Sequence, residues 1–127
     1  MPQTLDQKRA ALAWGYATAG VTAHEKKYKK LAKGASALIM NSGLMPTLAY
    51  YNGQDRKKAA ESHLLLEHLL HGLVVRLQPQ PTPANFSKFM EILQSRGSRE
   101  YLRYTDEALE LLKWIRQFVD AVETQGT

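Results

Sequence analysis

The chain has 127 residues, of which 44% are hydrophobic, and a formal net charge of +5. This length suits one domain with a single core, and the composition is too apolar for a disordered segment. Cysteine is absent, which excludes disulfides, thiolate zinc sites and a cysteine nucleophile. The sequence contains neither a signal-peptide core nor an apolar run of about 18 residues that would cross a membrane. We therefore expect a soluble cytoplasmic protein.

The first predicted element is a long amphipathic helix. Thr4 and Gln7 have the spacing of a capping box, in which each side chain bonds the backbone N–H of the other residue. Apolar side chains then recur at helical spacing as far as Leu31. Gly20 is expected to loosen this helix without ending it.

Four lysines in the second half of this helix share one face, and we call them the lysine stripe. They follow the spacing i, i+3, i+4, i+7 and are Lys26, Lys29, Lys30 and Lys33. Residues 1–33 contain seven basic and two acidic residues, whereas residues 98–127 contain four basic and six acidic residues. This asymmetry indicates an anionic partner for the first half, either nucleic acid or an acidic protein surface. The stripe predicts contacts with a phosphate backbone; the alternative is a solvated helix face.

Two short apolar segments follow, and they predict two short helices at residues 35–41 and 44–51. Gly43 is expected to supply the left-handed backbone that ends the first helix, and Gly53 to end the second in the same way. Helices of two turns are unstable alone, so the longer helices must bury this pair. Tyr51, beside the second turn, is the aromatic residue that we consider for stacking on a base.

A second basic group opens the next predicted helix, at residues 56–77. Asp55 is expected to cap this helix, and its first turn would then hold the three cations Arg56, Lys57 and Lys58. Cations are unfavourable at this end of the helix dipole. Three of them beside free N–H groups therefore predict an anion site. The alternative is that the side chains extend into water, where screening makes the penalty small.

The same helix contains three histidines, which raises the question of a metal site. His63, Glu67 and His71 share one helix face, and His68 forms an H-x-x-H pair with His71. One helix can offer two ligands, but the remaining ones would have to come from elsewhere. We expect a polar face or a subunit contact instead, with no metal and no other cofactor. Because the aspartates are scattered and no strand precedes a glycine-rich loop, no catalytic residue is assigned and no enzyme is expected.

Prolines interrupt the chain at residues 78–84 and end this helix. A short helix is predicted at residues 87–94. Ser98 is expected to cap a long last helix, whose apolar residues follow a 4-3 spacing as far as Val122. No segment alternates with the period of a strand. The sequence thus predicts one domain, residues 1–127, folded as a compact all-α bundle of about six helices.

Two separated segments resemble the small subunit of the Cmr complex, the type III-B CRISPR-Cas effector that targets RNA. They are ALIMNSGLMPTLAYY at residues 37–51 and EYLRYTDEALELLKWIRQFVDA at residues 100–121. In that family a basic first helix precedes an ALI-x-N-x-GL-x-x-TLA segment, and the last helix has a similar tyrosine, Thr-x-Glu-Ala-Leu run and tryptophan. The corresponding residues here are Tyr101, Thr105, Glu107, Ala108, Leu109, Trp114 and Arg116. Met45-Pro46 departs from an expected Gly-Gln, which affects only local geometry.

The resemblance implies an all-helical, non-catalytic subunit without a cofactor that acts in antiviral defence. Members of the family stack head to tail along the effector, opposite the subunits that hold the guide RNA, and help to accommodate the target strand. The implied partners are the other effector subunits, further copies of the chain, and guide or target RNA, with no membrane. The lysine stripe and residues 56–58 would then contact phosphates. The alternative is a spacer subunit whose basic face docks on acidic protein neighbours without contacting RNA.

Overall fold

The structure is a computed structural model that describes residues 2–123. Its helices are α1 Leu5–Ser42, α2 Leu44–Asn52, α3 Ala60–Leu77, α4 Phe86–Ser95 and α5 Ser98–Ala121. Residues 2–123 contain no strand. The all-α prediction is confirmed, with five helices in the described part of the chain rather than about six.

The first helix is longer than predicted, and its break lies elsewhere. The capping box is present: Gln7 N donates to Thr4 Oγ1 at 3.1 Å, and Thr4 N donates to Gln7 Oε1 at 2.7 Å. The helical geometry breaks at Glu25, with φ 35° and ψ −108°. The helix that was predicted separately at residues 35–41 is the end of α1. The buried positions Ala32, Ala35 and Ile39 keep one apolar face continuous across it.

The kink at Glu25 explains why the helix contains Gly20. The ring of Tyr28 packs directly against this glycine, so that a β-carbon at position 20 would overlap the ring. Tyr28 itself is completely buried. The kink therefore folds the second half of α1 onto the first, and it needs a residue without a side chain at the contact.

Two glycines flank α2, and the backbone conformation predicted for them is found at the first and not at the second. Gly43 has φ 96°, which confirms the left-handed residue expected there. Gly53 has φ −81° and ψ −8°, so the prediction of a left-handed Gly53 is wrong. The Gly53 N–H instead donates to Ala49 O at 2.9 Å and closes a right-handed last turn.

The last two helices follow the predicted pattern, although the capping of α5 differs. Asn85 caps α4, since its Oδ1 accepts from Lys88 N at 2.9 Å. Ser98 was expected to cap α5 but is its first helical residue; Gly97 stands at the cap without a side-chain bond. The predicted apolar face of α5 is buried at Ala108, Leu112, Ile115, Val119 and Val122.

The core lies where α1, α3 and α5 pack together, and α1 and α5 form the most extensive of these helix pairs. An ionic group crosses the three helices. Arg9 binds Glu107 through two hydrogen bonds, Nε to Oε2 at 2.7 Å and Nη2 to Oε1 at 2.9 Å. Arg76 Nε lies 3.7 Å from Glu107 Oε2, and the Glu107 side chain is only 5% exposed. Glu107, which belongs to the Thr-x-Glu-Ala-Leu run, thus joins the three helices rather than facing solvent.

Candidate nucleic-acid interface

The lysine stripe lies on the part of α1 that follows the kink. Lys26, Lys30 and Lys33 are exposed and Lys29 is half-buried. Lys33 Nζ lies 2.9 Å from Asp120 Oδ2 on α5, and this hydrogen bond lowers the pKa of the Asp120 carboxyl. One end of the stripe is therefore partly neutralised by the acidic last helix, while the other lysines have no such partner within residues 2–123.

The second basic group does not have the geometry that was predicted. Helix α3 begins at Ala60, so Asp55 is not its cap and the three cations precede the helix. Asp55 Oδ1 instead accepts from Lys57 N at 2.8 Å and Lys58 N at 2.9 Å, closing a local turn. These bonds lower the pKa of the Asp55 carboxyl. The amides that were expected to bind an anion are already bonded, so the argument from a helix dipole is wrong here.

The three cations of this turn, Arg56, Lys57 and Lys58, are all exposed. Of these three, Lys58 lines a cavity that it shares with the lysine stripe. It lines a surface cavity of about 500 Å³ together with Lys30 and with Lys27, which the stripe had left out. We call this cavity the lysine groove. It joins one member of each of the two basic segments that the sequence had suggested separately.

The floor and rim of the lysine groove come from three parts of the fold. Leu31 and Leu38 of α1 supply apolar surface, the buried Tyr51 of α2 lies beneath it, and Glu61 of α3 supplies the groove's one carboxylate. Three lysines around one glutamate leave an excess of positive charge. Such a groove attracts an anion that also has apolar surface.

Tyr51 does not occupy the position that base stacking requires. Its ring is completely buried, whereas the neighbouring Tyr50 is 56% exposed. The expectation that Tyr51 stacks on a base is therefore wrong. Its hydroxyl is buried as well and has no hydrogen-bond partner. Burial raises the pKa of Tyr51 to about 12, so the hydroxyl keeps its proton and remains a donor at neutral pH.

The histidines of α3 have separate partners within the protein. His63 Nε2 lies 2.7 Å from Gln54 O, and His68 Nδ1 lies 2.6 Å from the Tyr28 hydroxyl. His71 Nδ1 is bonded to the hydroxyl of Tyr16. No group of three or more metal-ligating side chains that could hold an ion occurs within residues 2–123. Two of these histidines thus tie α3 to α1.

Several large apolar side chains remain at the surface outside the groove. Met40 is 74% exposed, Leu102 is 57% exposed and Trp14 is 46% exposed, with the Trp14 ring edge-on to Phe118 at a centroid distance of 5.2 Å. Exposed apolar groups of this size are typical of protein contact surfaces. In the described part of the chain, no helix is long and apolar enough to span a bilayer.

Comparison with known proteins agrees with the resemblance seen in the sequence. A family model described as CRISPR-associated protein (Cas_Cmr5) matches residues 5–122, which includes every helix of the fold. No curated protein matches the chain. The family match covers most of the chain, and it shows that the protein belongs to the Cas_Cmr5 family, the small subunit of the Cmr type III-B CRISPR-Cas complex.

Proposed function

We propose that this subunit binds RNA without catalysing a reaction, and that copies of it stack along the effector complex during antiviral defence in the cytoplasm. The observation that supports RNA binding best is the lysine groove, where Lys30 from the stripe and Lys58 from the turn before α3 line one cavity. Neither lysine forms an ion pair within residues 2–123.

The proposed contacts are with phosphates rather than with bases. Lysine binds phosphate as a point charge and releases counterions from the nucleic acid, which gives affinity without sequence preference. The proposed contact residues are the stripe and the exposed turn: Lys26, Lys29, Lys30, Lys33, Arg56, Lys57 and Lys58. Each contact is weak, and repetition over stacked copies would multiply the affinity.

Stacking would use the exposed apolar side chains that lie outside the groove. Trp14 and Met40 are exposed near opposite ends of α1, and Leu102 is exposed near the start of α5. Head-to-tail contacts of a short filament would join two different faces of the subunit.

A protein spacer without RNA contact is the alternative, and one observation favours it. Lys33 already bonds a carboxylate of its own chain at 2.9 Å, so the basic face of α1 can also bind acidic side chains of a neighbouring subunit.

Salt dependence separates the two functions. The test variant, studied in the assembled complex, combines Lys26→Ala with Lys30→Ala and so removes two exposed cations. The control variant combines Lys88→Ala with Lys113→Ala. These two lysines pair with glutamates on their own helices at 3.2 and 3.5 Å. If α1 contacts RNA, the first pair weakens target binding and flattens the log-log salt slope by about 1.4 per copy, while the control does not. Normal incorporation with an unchanged slope would reject RNA contact, and failed incorporation would favour the spacer.

The absence of catalysis has its own test. The purified chain, incubated with labelled RNA and Mg²⁺, is expected to leave the RNA intact. Cleavage that depends on metal, persists through repurification and is lost in His71→Ala would overturn this part of the proposal.

A further inference from the structure

We infer that the lysine groove holds one backbone phosphate of single-stranded RNA, and that the buried hydroxyl of Tyr51 donates a hydrogen bond to this phosphate. This inference rests on the proposed function and specifies its site. It adds Lys27 and Tyr51, which were outside the predicted contact residues. Of those seven predicted residues, Lys30 and Lys58 line the groove, and the other five do not.

The charge of the groove selects an anion. Lys27, Lys30 and Lys58 are exposed cations drawn from two segments that are distant in the sequence, and Glu61 is the one carboxylate among the lining residues. Repulsion among three lysines is relieved when an anion lies between them. A phosphate diester carries one negative charge and acceptor oxygens that can bond several of these ammonium groups at once.

Tyr51 is the second observation that points to a ligand. Three other tyrosines that help to hold the helices together have bonded hydroxyls: Tyr16 with His71, Tyr28 with His68, and Tyr101 accepting from Met45 N at 2.9 Å. The Tyr51 hydroxyl has no partner, although the whole side chain is buried and lines the groove. A buried donor without an acceptor is unfavourable. A phosphate oxygen would supply the acceptor that the fold does not.

The Tyr51 hydroxyl is buried, so a phosphate reaches it when the exposed side chains that line the groove move aside. Lys27, Lys30 and Lys58 have long, solvent-exposed side chains, which rearrange around an anion at little cost. The Tyr51 ring is completely buried in the core, so its hydroxyl is positioned before the ligand binds.

The apolar part of the groove favours a nucleotide over a free phosphate. Leu31 is half-buried and Leu38 is 38% exposed, and both lie beside the lysines in a cavity of about 500 Å³. A ribose or a base face can cover these side chains. The two leucine side chains carry no hydrogen-bonding group that could distinguish one base from another, so we expect binding without sequence preference.

The test compares Tyr51→Phe with Tyr50→Phe in the assembled complex. Both variants lose one hydroxyl, but Tyr50 is exposed and outside the groove. A hydrogen bond to a charged group is lost only in Tyr51→Phe, which should weaken binding of single-stranded target RNA about tenfold or more. Because the hydroxyl is neutral and releases no counterion, the salt slope should stay unchanged. Lys58→Ala, in contrast, should flatten the slope by about 0.7 per copy.

The stability of the free chain provides the second readout. Removing an unpartnered hydroxyl should leave the melting temperature of Tyr51→Phe unchanged or raise it. Weaker RNA binding together with a lower melting temperature would make Tyr51 a structural residue and overturn the inference. So would RNA affinity equal to that of the wild type, or failure of the variant to join the complex.

The outcomes also separate this inference from the proposed function. If Lys26→Ala with Lys30→Ala flattens the salt slope while Tyr51→Phe has no effect, α1 contacts RNA but the groove does not hold a phosphate on the hydroxyl. If neither variant alters binding, RNA contact itself is rejected.

Discussion

Two regions of this molecule bring basic side chains and tyrosines together, with different results. In the polar interior between α1, α3 and α5, Arg9 has two hydrogen bonds to Glu107, and the Tyr28 hydroxyl is bonded to His68. In the lysine groove, three lysines share one carboxylate and the Tyr51 hydroxyl has no partner. Polar groups that have partners within the chain stabilise the fold. The exposed lysines of the groove form no ion pair within residues 2–123 and are available to an anion. This contrast is the basis of the functional proposal.

The largest effect on the free energy of unfolding is expected from removing the charge at the centre of the polar interior. Glu107→Gln would leave Arg9 and Arg76 without their shared carboxylate, at side-chain exposures of 15% and 18%. Removing one member of a buried ionic group costs about 3 to 5 kcal/mol. Urea unfolding should show this loss in the free energy of unfolding.

A neighbouring glutamate provides the control for this variant. Glu110 lies 3.8 Å from Arg9 and its side chain is 38% exposed, so Glu110→Gln should cost less than about 1 kcal/mol. Equal effects of the two variants would show that Glu107 does not hold the three helices together.

The next largest effect on stability is expected where the Tyr28 ring packs against Gly20. Gly20→Ala would force its β-carbon into the ring of Tyr28, a residue that is completely buried, and should lower the free energy of unfolding by about 1 to 3 kcal/mol.

Gly15→Ala is the matched control on the same helix. Nothing lies within 4 Å of a β-carbon at position 15, so this substitution should stabilise the protein by about 0.5 to 1 kcal/mol, since alanine favours a helix. If both substitutions stabilised the protein, Tyr28 would not pack on Gly20.

The buried His68 predicts a dependence of stability on pH. Burial, with a smaller contribution from His71, lowers the pKa of His68 from 6.5 to about 4. Between these values the unfolded chain binds a proton that the folded chain does not, so stability falls as the pH falls. Lowering the pH from about 7 to about 5.5 should cost about 1 kcal/mol through this group.

His68→Gln should remove this part of the pH dependence of stability, whatever it does to the stability at neutral pH. Chemical unfolding of both proteins at the two pH values measures the difference. An equal loss in both proteins would show that His68 binds its proton equally well in the folded and unfolded chains.

The elements of the fold could be predicted from the sequence where the pattern that specifies them is local. The capping box at Thr4, the left-handed Gly43 and the apolar spacing of α5 each involve residues within a few positions of one another. The break at Glu25 carries no such signal, because a glutamate does not favour a positive φ. The prediction that Asp55 caps the helix is wrong, because its side chain bonds the amides of a turn before α3.

The candidate site was only partly accessible from the sequence, because it depends on tertiary contacts. Lys30 and Lys58 were both identified, but nothing local indicates that they line one cavity. Lys27 had a usable signal, since it precedes Lys30 by one helical turn and shares its face. Tyr51 was identified for the wrong reason: its ring is buried, and its unbonded hydroxyl is visible only once the surroundings are known.

The smallest effect is expected on the salt dependence of RNA binding, at Lys33, the end of the lysine stripe that pairs with a carboxylate of the same chain. Lys33 bonds Asp120 at 2.9 Å, and both side chains are exposed, at 43% and 59%. If partners within the chain compete with RNA, Asp120→Asn should release Lys33 for a phosphate and steepen the log-log salt slope of target binding by up to about 0.7 per copy.

Asp106→Asn removes the same charge from the same helix, at an exposed residue that has no ion pair within residues 2–123, and should leave the slope unchanged. Equal slopes for the two variants would show that Lys33 stays away from RNA even when it is free. The RNA path would then be confined to the side of α1 that faces the lysine groove. A steeper slope for Asp120→Asn alone would instead show that α5 limits how far RNA extends along the stripe, and that the acidic last helix sets the edge of the basic surface.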